Sequence, residues 1–215
     1  MKQLLPLLLI LTLQADDTAT KKEFVILNTL TQQTHYEMRY ASENNFIGTV
    51  ITGYEAPLCY LSKEAANALL EVEKELQREG LRLKVYDCYR PQRAVDHFVR
   101  WAKALDDTKM KAQYYPKVDK KVLFRDGYIA ARSGHSRGST LDLTIEGLDM
   151  GTPFDFFDPR SHTLSSAVTK KQHSNRLLLK KVMEKYGFKN YAEEWWHYTL
   201  RDEPFKNTYF DFIVR

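Results

Sequence analysis

At 215 residues the chain is long enough for one ordinary domain and short for two, and its 43% hydrophobic and 13% aromatic content is that of a protein with a packed core. The net charge of +4 comes from 32 basic and 28 acidic residues mixed along the whole chain. Basic runs such as Lys117–Lys121 therefore read as solvated faces, which excludes a nucleic-acid-binding surface.

The first fifteen residues, MKQLLPLLLILTLQA, place one lysine before an apolar run from Leu4 to Leu13 and a small residue at Ala15. The run is too short to span a bilayer and has the form of a secretory signal peptide over residues 1–15. No cysteine follows it to carry a lipid. The expectation is a periplasmic or secreted protein with no membrane anchor after cleavage, whose single domain covers residues 16–215.

FVILNTLT (24–31) reads as a first strand, and HYEMRYASENNFIG leads into a polar loop. In SKEAANALLEVEKELQREG, Ser62 is an N-cap, Ala66, Leu69, Leu70 and Leu76 form an apolar stripe, and Gly80 stands just past the end of the helix. LRLKVYD turns Leu81, Leu83 and Val85 inward as a half-buried strand, and Arg90-Pro91 opens a helix from Gln92 to Ala104. Residues 105–128 form a long polar connection of the kind that carries function. STLDLTI is a strand, Ser174–Tyr186 a helix closed by Gly187, and WWHYTL the last strand. Helices and strands interleave without regular βαβ units, which predicts an α+β fold with a mainly antiparallel sheet and flanking helices. Cys59 and Cys88 are the only cysteines, so in an oxidising compartment they are either one disulfide or two small buried thiols.

Two stretches carry chemistry: SGHSRGSTLDLT (133–144) and EEWWHY (193–198). His135, Asp142 and His197 supply two imidazoles and a carboxylate, the ligand set of a catalytic zinc site that keeps one position open for water. Glu194 is the spare carboxylate needed to take the water proton and hand it to the leaving amine. His135 and Asp142 are seven apart and converge only if a turn intervenes, which Gly138 can supply. Glu194 and His197 are three apart, so Glu194 should precede the strand that presents His197. His35, His97, His162 and His173 read as ordinary core or surface histidines.

Both stretches closely resemble the zinc-binding motifs of the D-alanyl-D-alanine dipeptidases, the VanX-like zinc metallopeptidases. DCYRPQRAV, MGTPFDFFDPRSH and LRDEPFKNTYFDF extend the likeness from about Tyr40 to the C-terminus. The resemblance implies one zinc ion per chain, held by His135, Asp142 and His197 at the sheet edge, with Glu194 as general base and acid. It further implies Arg90 as the cation that steadies the oxyanion, Ser133 and Asp155 as acceptors for the substrate ammonium, and Tyr40, Tyr54 and Phe98 as pocket walls. The implied activity is zinc-dependent hydrolysis of D-alanyl-D-alanine and related dipeptides, a small-molecule substrate. Loop 105–128 is expected to roof the pocket and exclude longer peptides. LTIEGLD (143–149) is shorter than expected for the resistance enzymes, which predicts a trimmed hairpin beside the pocket. With an apparent export signal, wall-fragment scavenging or recycling fits better than resistance. A murein D,D-carboxypeptidase or endopeptidase is the alternative enzyme, and a non-catalytic D-amino-acid peptide-binding protein the alternative class.

Overall fold

The long helix read from Ser62 to Gly80 spans Lys63–Arg78. The Ser62 hydroxyl accepts the Ala65 N–H at its start, and Ala65, Ala66, Leu69, Val72 and Leu76 form its buried face. Gly80, at φ +69°, turns the chain out of it, a conformation in which a Cβ is costly. In this computed structural model, residues 21–215 are described. The expected signal peptide, residues 1–15, lies outside them.

The elements in chain order are β1 (Phe24–Ile26), α1 (Leu27–Leu30), β2 (His35–Tyr36), β3 (Tyr60–Ser62), α2 (Lys63–Arg78), β4 (Leu83–Asp87), α3 (Gln92–Lys103), α4 (Lys111–Tyr114), β5 (Thr140–Ile145), α5 (Lys170–Lys185), β6 (Phe188–Asn190) and β7 (His197–Leu200). One sheet has the order β2-β4-β5-β7-β6, and β1 pairs with β3 in a second, two-stranded sheet. Every neighbouring pair is antiparallel except β2–β4, so the fold is mixed α+β with one antiparallel and one mixed sheet. Among the described residues no helix is long and apolar enough to cross a membrane.

Three elements depart from the sequence reading. The first strand stops at Ile26 instead of Thr31, because Asn28 and Gln32 spend their side chains on nearby backbone. Asn28 Oδ1 accepts the Cys59 N–H at 2.8 Å, and Gln32 Nε2 donates to Asn28 O at 2.8 Å. Helix α5 begins at Lys170 rather than Ser174. Its signal is a capping box, in which Thr169 accepts the Gln172 N–H and the Gln172 side chain accepts the Thr169 N–H. The last strand starts at His197, and Trp195 and Trp196 precede it in a turn.

The pairing register is what matters for chemistry. Asp87 of β4 pairs with Asp142 of β5, and Asp142 pairs with His197 of β7. Directly paired residues on neighbouring strands project to the same face, so this row brings three polar side chains together. All six residues of β5 are buried, as befits the middle strand of a covered sheet. The row therefore lies on inner strands, not at the sheet edge as expected. A buried row excludes the water that would otherwise screen its charges.

Candidate active site

His135 reaches the row through the turn that Gly138 supplies. A short 3-10 turn, Gly134–Arg137, is capped by Ser133, whose hydroxyl accepts the His135 N–H at 3.3 Å. Gly138, at φ +81°, then reverses the chain into β5. Its flat surface is needed twice over, since a Cβ there would lie 2.2 Å from the Phe24 ring. Ser62 and Ser139 share a hydrogen bond of 2.8 Å beside this turn, and Arg137 grips Glu203 with two bonds of 2.8 Å.

On this frame His135 Nε2 lies 3.3 Å from Asp142 Oδ2 and 3.3 Å from His197 Nδ1, which is itself 3.2 Å from Asp142 Oδ1. Asp142 Oδ1 is buried and forms no hydrogen bond among the described residues. A buried carboxylate oxygen left without a donor, facing two imidazole nitrogens, fits a cation held among all three. Among the described residues this is the one group of His, Cys, Asp and Glu placed to hold a metal. His35, His97, His162 and His173 stay out of it: His35 pairs with Glu146, and His97 Nδ1 accepts the Thr52 N–H at 3.1 Å.

The electrostatics are those of a tightly packed charge cluster. Burial opposes ionisation of Asp142, but His135 and His197 hold its carboxyl well below the usual range. Burial likewise opposes protonation of His197, yet the carboxylates of Asp142 and Glu194 close beside it push its pKa up to about 9. The outer nitrogen of His135 is fixed as well: Nδ1 donates to the Cys88 carbonyl at 2.7 Å. A second interaction of this kind sets tautomer and ring orientation in metal-binding histidines.

Around the cluster lies a cavity of about 320 Å³. Arg90, Ser133, Asp155, Tyr40, Phe98 and Glu194 all line it, together with Asp142 and His197. Glu194 precedes β7, and its Oε2 is 3.3 Å from His197 Nδ1. Arg90 Nε donates to Asp87 at 2.9 Å, its Nη2 to Asp142 Oδ2 at 3.4 Å, and its guanidinium lies over the rings of Tyr40 and Phe98. Asp155 is buried, has φ +59° and accepts the Tyr40 hydroxyl at 2.9 Å. Burial, and then Asp142, push its carboxyl well above the usual range, while Arg90 pulls it down. A non-glycine residue in the left-handed region is uncommon, and such residues cluster at functional sites.

Tyr54 is placed differently from the expectation. It does not line this cavity but stands behind it, fully covered, donating to Asp87 Oδ1 at 2.7 Å. The short LTIEGLD segment is also elsewhere: Thr144 to Asp149 border a separate cavity of about 400 Å³ that shares no lining residue with the first. Trimming that hairpin therefore leaves the walls of the candidate site untouched. Only the end of the 105–128 connection, Gly127 and Tyr128, reaches the site. Elsewhere in it, Lys120 Nζ donates to the carbonyls of Ala104 and Asp107 and lies over Trp101 of α3, while the Tyr114 hydroxyl donates to Asn44.

Sequence reading missed Asp87, Arg132, Tyr191 and Trp196. Asp87 is fully buried, joins Tyr54 and Arg90, and lies 3.4 Å from His135 Nδ1. Its signal was available: a carboxylate ending an apolar strand three residues before an arginine requires a partner. Arg132, Tyr191 and Trp196 line the cavity, and the Tyr191 ring centroid lies 5.6 Å from that of His197. No local pattern marks them, because their loops meet only in the folded chain.

Three convergent side-chain atoms that could hold a metal, with a carboxylate and a guanidinium beside them in one cavity, have the layout of a metallopeptidase-type centre on a mixed α+β fold. The chain belongs to the D-ala-D-ala dipeptidase family, Peptidase_M15, whose model matches residues 20–215. It is 41% identical over 197 residues to a D-alanyl-D-alanine dipeptidase of Enterococcus faecalis, covering 89% of this chain and 98% of that protein. To a D-alanyl-D-alanine dipeptidase of Enterococcus faecium it is 39% identical over 198 residues, with the same coverage. A solved structure of VanYB in complex with D-Alanine-D-Alanine shares 13% identity and a TM-score of 0.42, over 66% of this chain and 72% of that one.

Proposed function

We propose that the protein is an exported zinc-dependent dipeptidase that hydrolyses D-alanyl-D-alanine and related free dipeptides. The observation that carries this reading is Asp155, a buried carboxylate held by Tyr40 in the same cavity as Glu194 and the three ligand atoms. A buried carboxyl group in that cavity suits a free ammonium group, whose positive charge would favour its ionised form, and Ser133 adds a second acceptor. A peptide with further residues on its amino side has no such group to offer.

His135, Asp142 and His197 would hold the zinc. Zinc bound there would lower the pKa of a water molecule and polarise the scissile carbonyl. Glu194 takes the water proton and returns it to the departing amine, for which its position beside His197 and its partial exposure suit it. Arg90, immobilised by Asp87 and two aromatic rings, faces the charge that develops on the carbonyl oxygen. A fixed donor of this kind in a water-poor site contributes about 3–4 kcal/mol to the transition state.

Export and wall-fragment recycling are part of the same proposal. The apolar N-terminus supports it, and so does the Cys59–Cys88 disulfide, since such bonds persist in oxidising compartments. The test of the substrate class is hydrolysis of D-Ala-D-Ala, L-Ala-L-Ala and N-acetyl-D-Ala-D-Ala by the mature protein. Cleavage of the free D,D-dipeptide with the acetylated one spared is expected. Cleavage of the acetylated peptide at a similar rate would move the activity to the wall carboxypeptidases and remove the role given to Asp155.

A further inference from the structure

Cys88 immediately follows β4, next to Asp87 and two residues before Arg90, so one short stretch supplies three contacts to the site. Its contact is made by the backbone, whose carbonyl accepts the His135 Nδ1–H at 2.7 Å. Its side chain is the other half of the Cys59–Cys88 disulfide, and both residues are fully buried. Cys59 is in turn held on both sides. Its N–H donates to Asn28 Oδ1 at 2.8 Å, and its carbonyl accepts the Leu27 N–H at 2.8 Å. The neighbouring Tyr89 N–H donates to the Tyr60 carbonyl at 2.9 Å. A covalent link from Cys59, itself hydrogen-bonded to the β1–α1 corner, thus anchors the residue whose carbonyl aims a histidine.

We propose that the cystine is a positioning element for the metal centre. It holds the Cys88 carbonyl where that group fixes the tautomer and direction of His135, and reduction loosens the metal before it unfolds the domain. This inference rests on the reading of His135, Asp142 and His197 as zinc ligands. The ring has somewhere else to go: Asp87 Oδ2 lies 3.4 Å from the same Nδ1 and becomes the competing acceptor if the carbonyl moves. Rotating the ring toward Asp87 turns Nε2 away from Asp142 and His197. Loss of a partner that orients a metal-binding histidine typically weakens metal affinity about 10–100-fold.

The test is zinc affinity, measured by competition with a chromophoric chelator, for the oxidised protein and the Cys59→Ser/Cys88→Ser variant. A Leu69→Ala variant serves as control, since Leu69 is buried on α2 and reports lost stability without touching the site. The proposal predicts zinc affinity about 10–100-fold weaker in the serine variant. It also predicts unchanged affinity in Leu69→Ala despite its lower melting temperature. The His135 Nδ1–H proton resonance should be sharp in the oxidised protein and lost to exchange in the serine variant. If the serine variant does not fold, zinc release is followed while a thiol-free phosphine reduces zinc-loaded wild-type protein of native circular dichroism. Release coincident with reduction is then expected. A folded variant or reduced protein that keeps its zinc affinity within about threefold overturns the proposal and leaves the cystine a stabiliser only. Oxidised wild-type protein that takes up no zinc instead defeats the site assignment itself, an outcome visible before any variant is made.

Discussion

Asp142 and Asp155 occupy one cavity and are driven in opposite directions, Asp142 toward the carboxylate by two imidazoles and Asp155 toward the neutral acid by burial. That division fits a ligand for a resident cation and an acceptor waiting for a transient one. Replacing Asp155 with Asn should raise KM for the free dipeptide by about 10–100-fold, the worth of a charge-assisted hydrogen bond, with a smaller change in kcat. Steady-state kinetics on D-Ala-D-Ala decides this; an unchanged KM would remove Asp155 from the substrate. Glu194→Gln should cost about 10²–10⁴-fold in kcat while leaving one zinc per chain by elemental analysis, which separates proton transfer from metal binding. Asp87→Asn keeps the shape but removes the charge that immobilises Arg90. Its expected signature is a fall in kcat of about tenfold or more with KM nearly constant, because Arg90 is needed most in the transition state.

Among the elements, the turn between His135 and Asp142 constrains the site most. Gly138→Ala forces a Cβ into the left-handed region, at about 1–2 kcal/mol, and against the Phe24 ring, at about 1–3 kcal/mol more. A thermal melt should fall by about 4–20 °C for a chain of this length. A variant melting with the wild type would show that the turn rearranges freely. The glycine's role was legible in sequence because the seven-residue spacing demanded a reversal there. So were α2, β4, α3 and β5, whose caps and alternation are local signals. The missed β6 and the parallel β2–β4 pair depend on partners far along the chain, whereas the early start of α5 had a local signal in the Thr169–Gln172 capping box. The row Asp87–Asp142–His197 is legible only once register is known, which is why Asp87 went unread and Tyr54 was expected in the pocket wall rather than behind it. Likewise the 105–128 connection contributes only Gly127 and Tyr128 to the cavity wall, so length alone overstated its part.

At the scale of the whole molecule, the disulfide closes a loop between residues 29 apart, worth about 3–4 kcal/mol by chain entropy. The C-terminal stretch closes over the same region: Phe210 N–H donates to the Ser136 carbonyl, and the Tyr89 hydroxyl to the Phe212 carbonyl, each near 3 Å. Phe24 packs against Phe205, Phe210 and Phe212, so the tail is part of the core that backs the histidine turn. The candidate site is thus supported from both ends of the described chain, consistent with a family match that extends over residues 20–215.

The proposed hydrolysis depends on one ion held by His135, Asp142 and His197 with Glu194 beside it. The most direct measurement is a titration of zinc into metal-free protein while the hydrolysis of D-Ala-D-Ala is followed. Activity is expected to rise from zero and break sharply at one zinc per chain, with Glu194→Gln taking up the same single ion and staying inactive. Full activity in the metal-free protein, or a rise that ignores the one-to-one point, would contradict it.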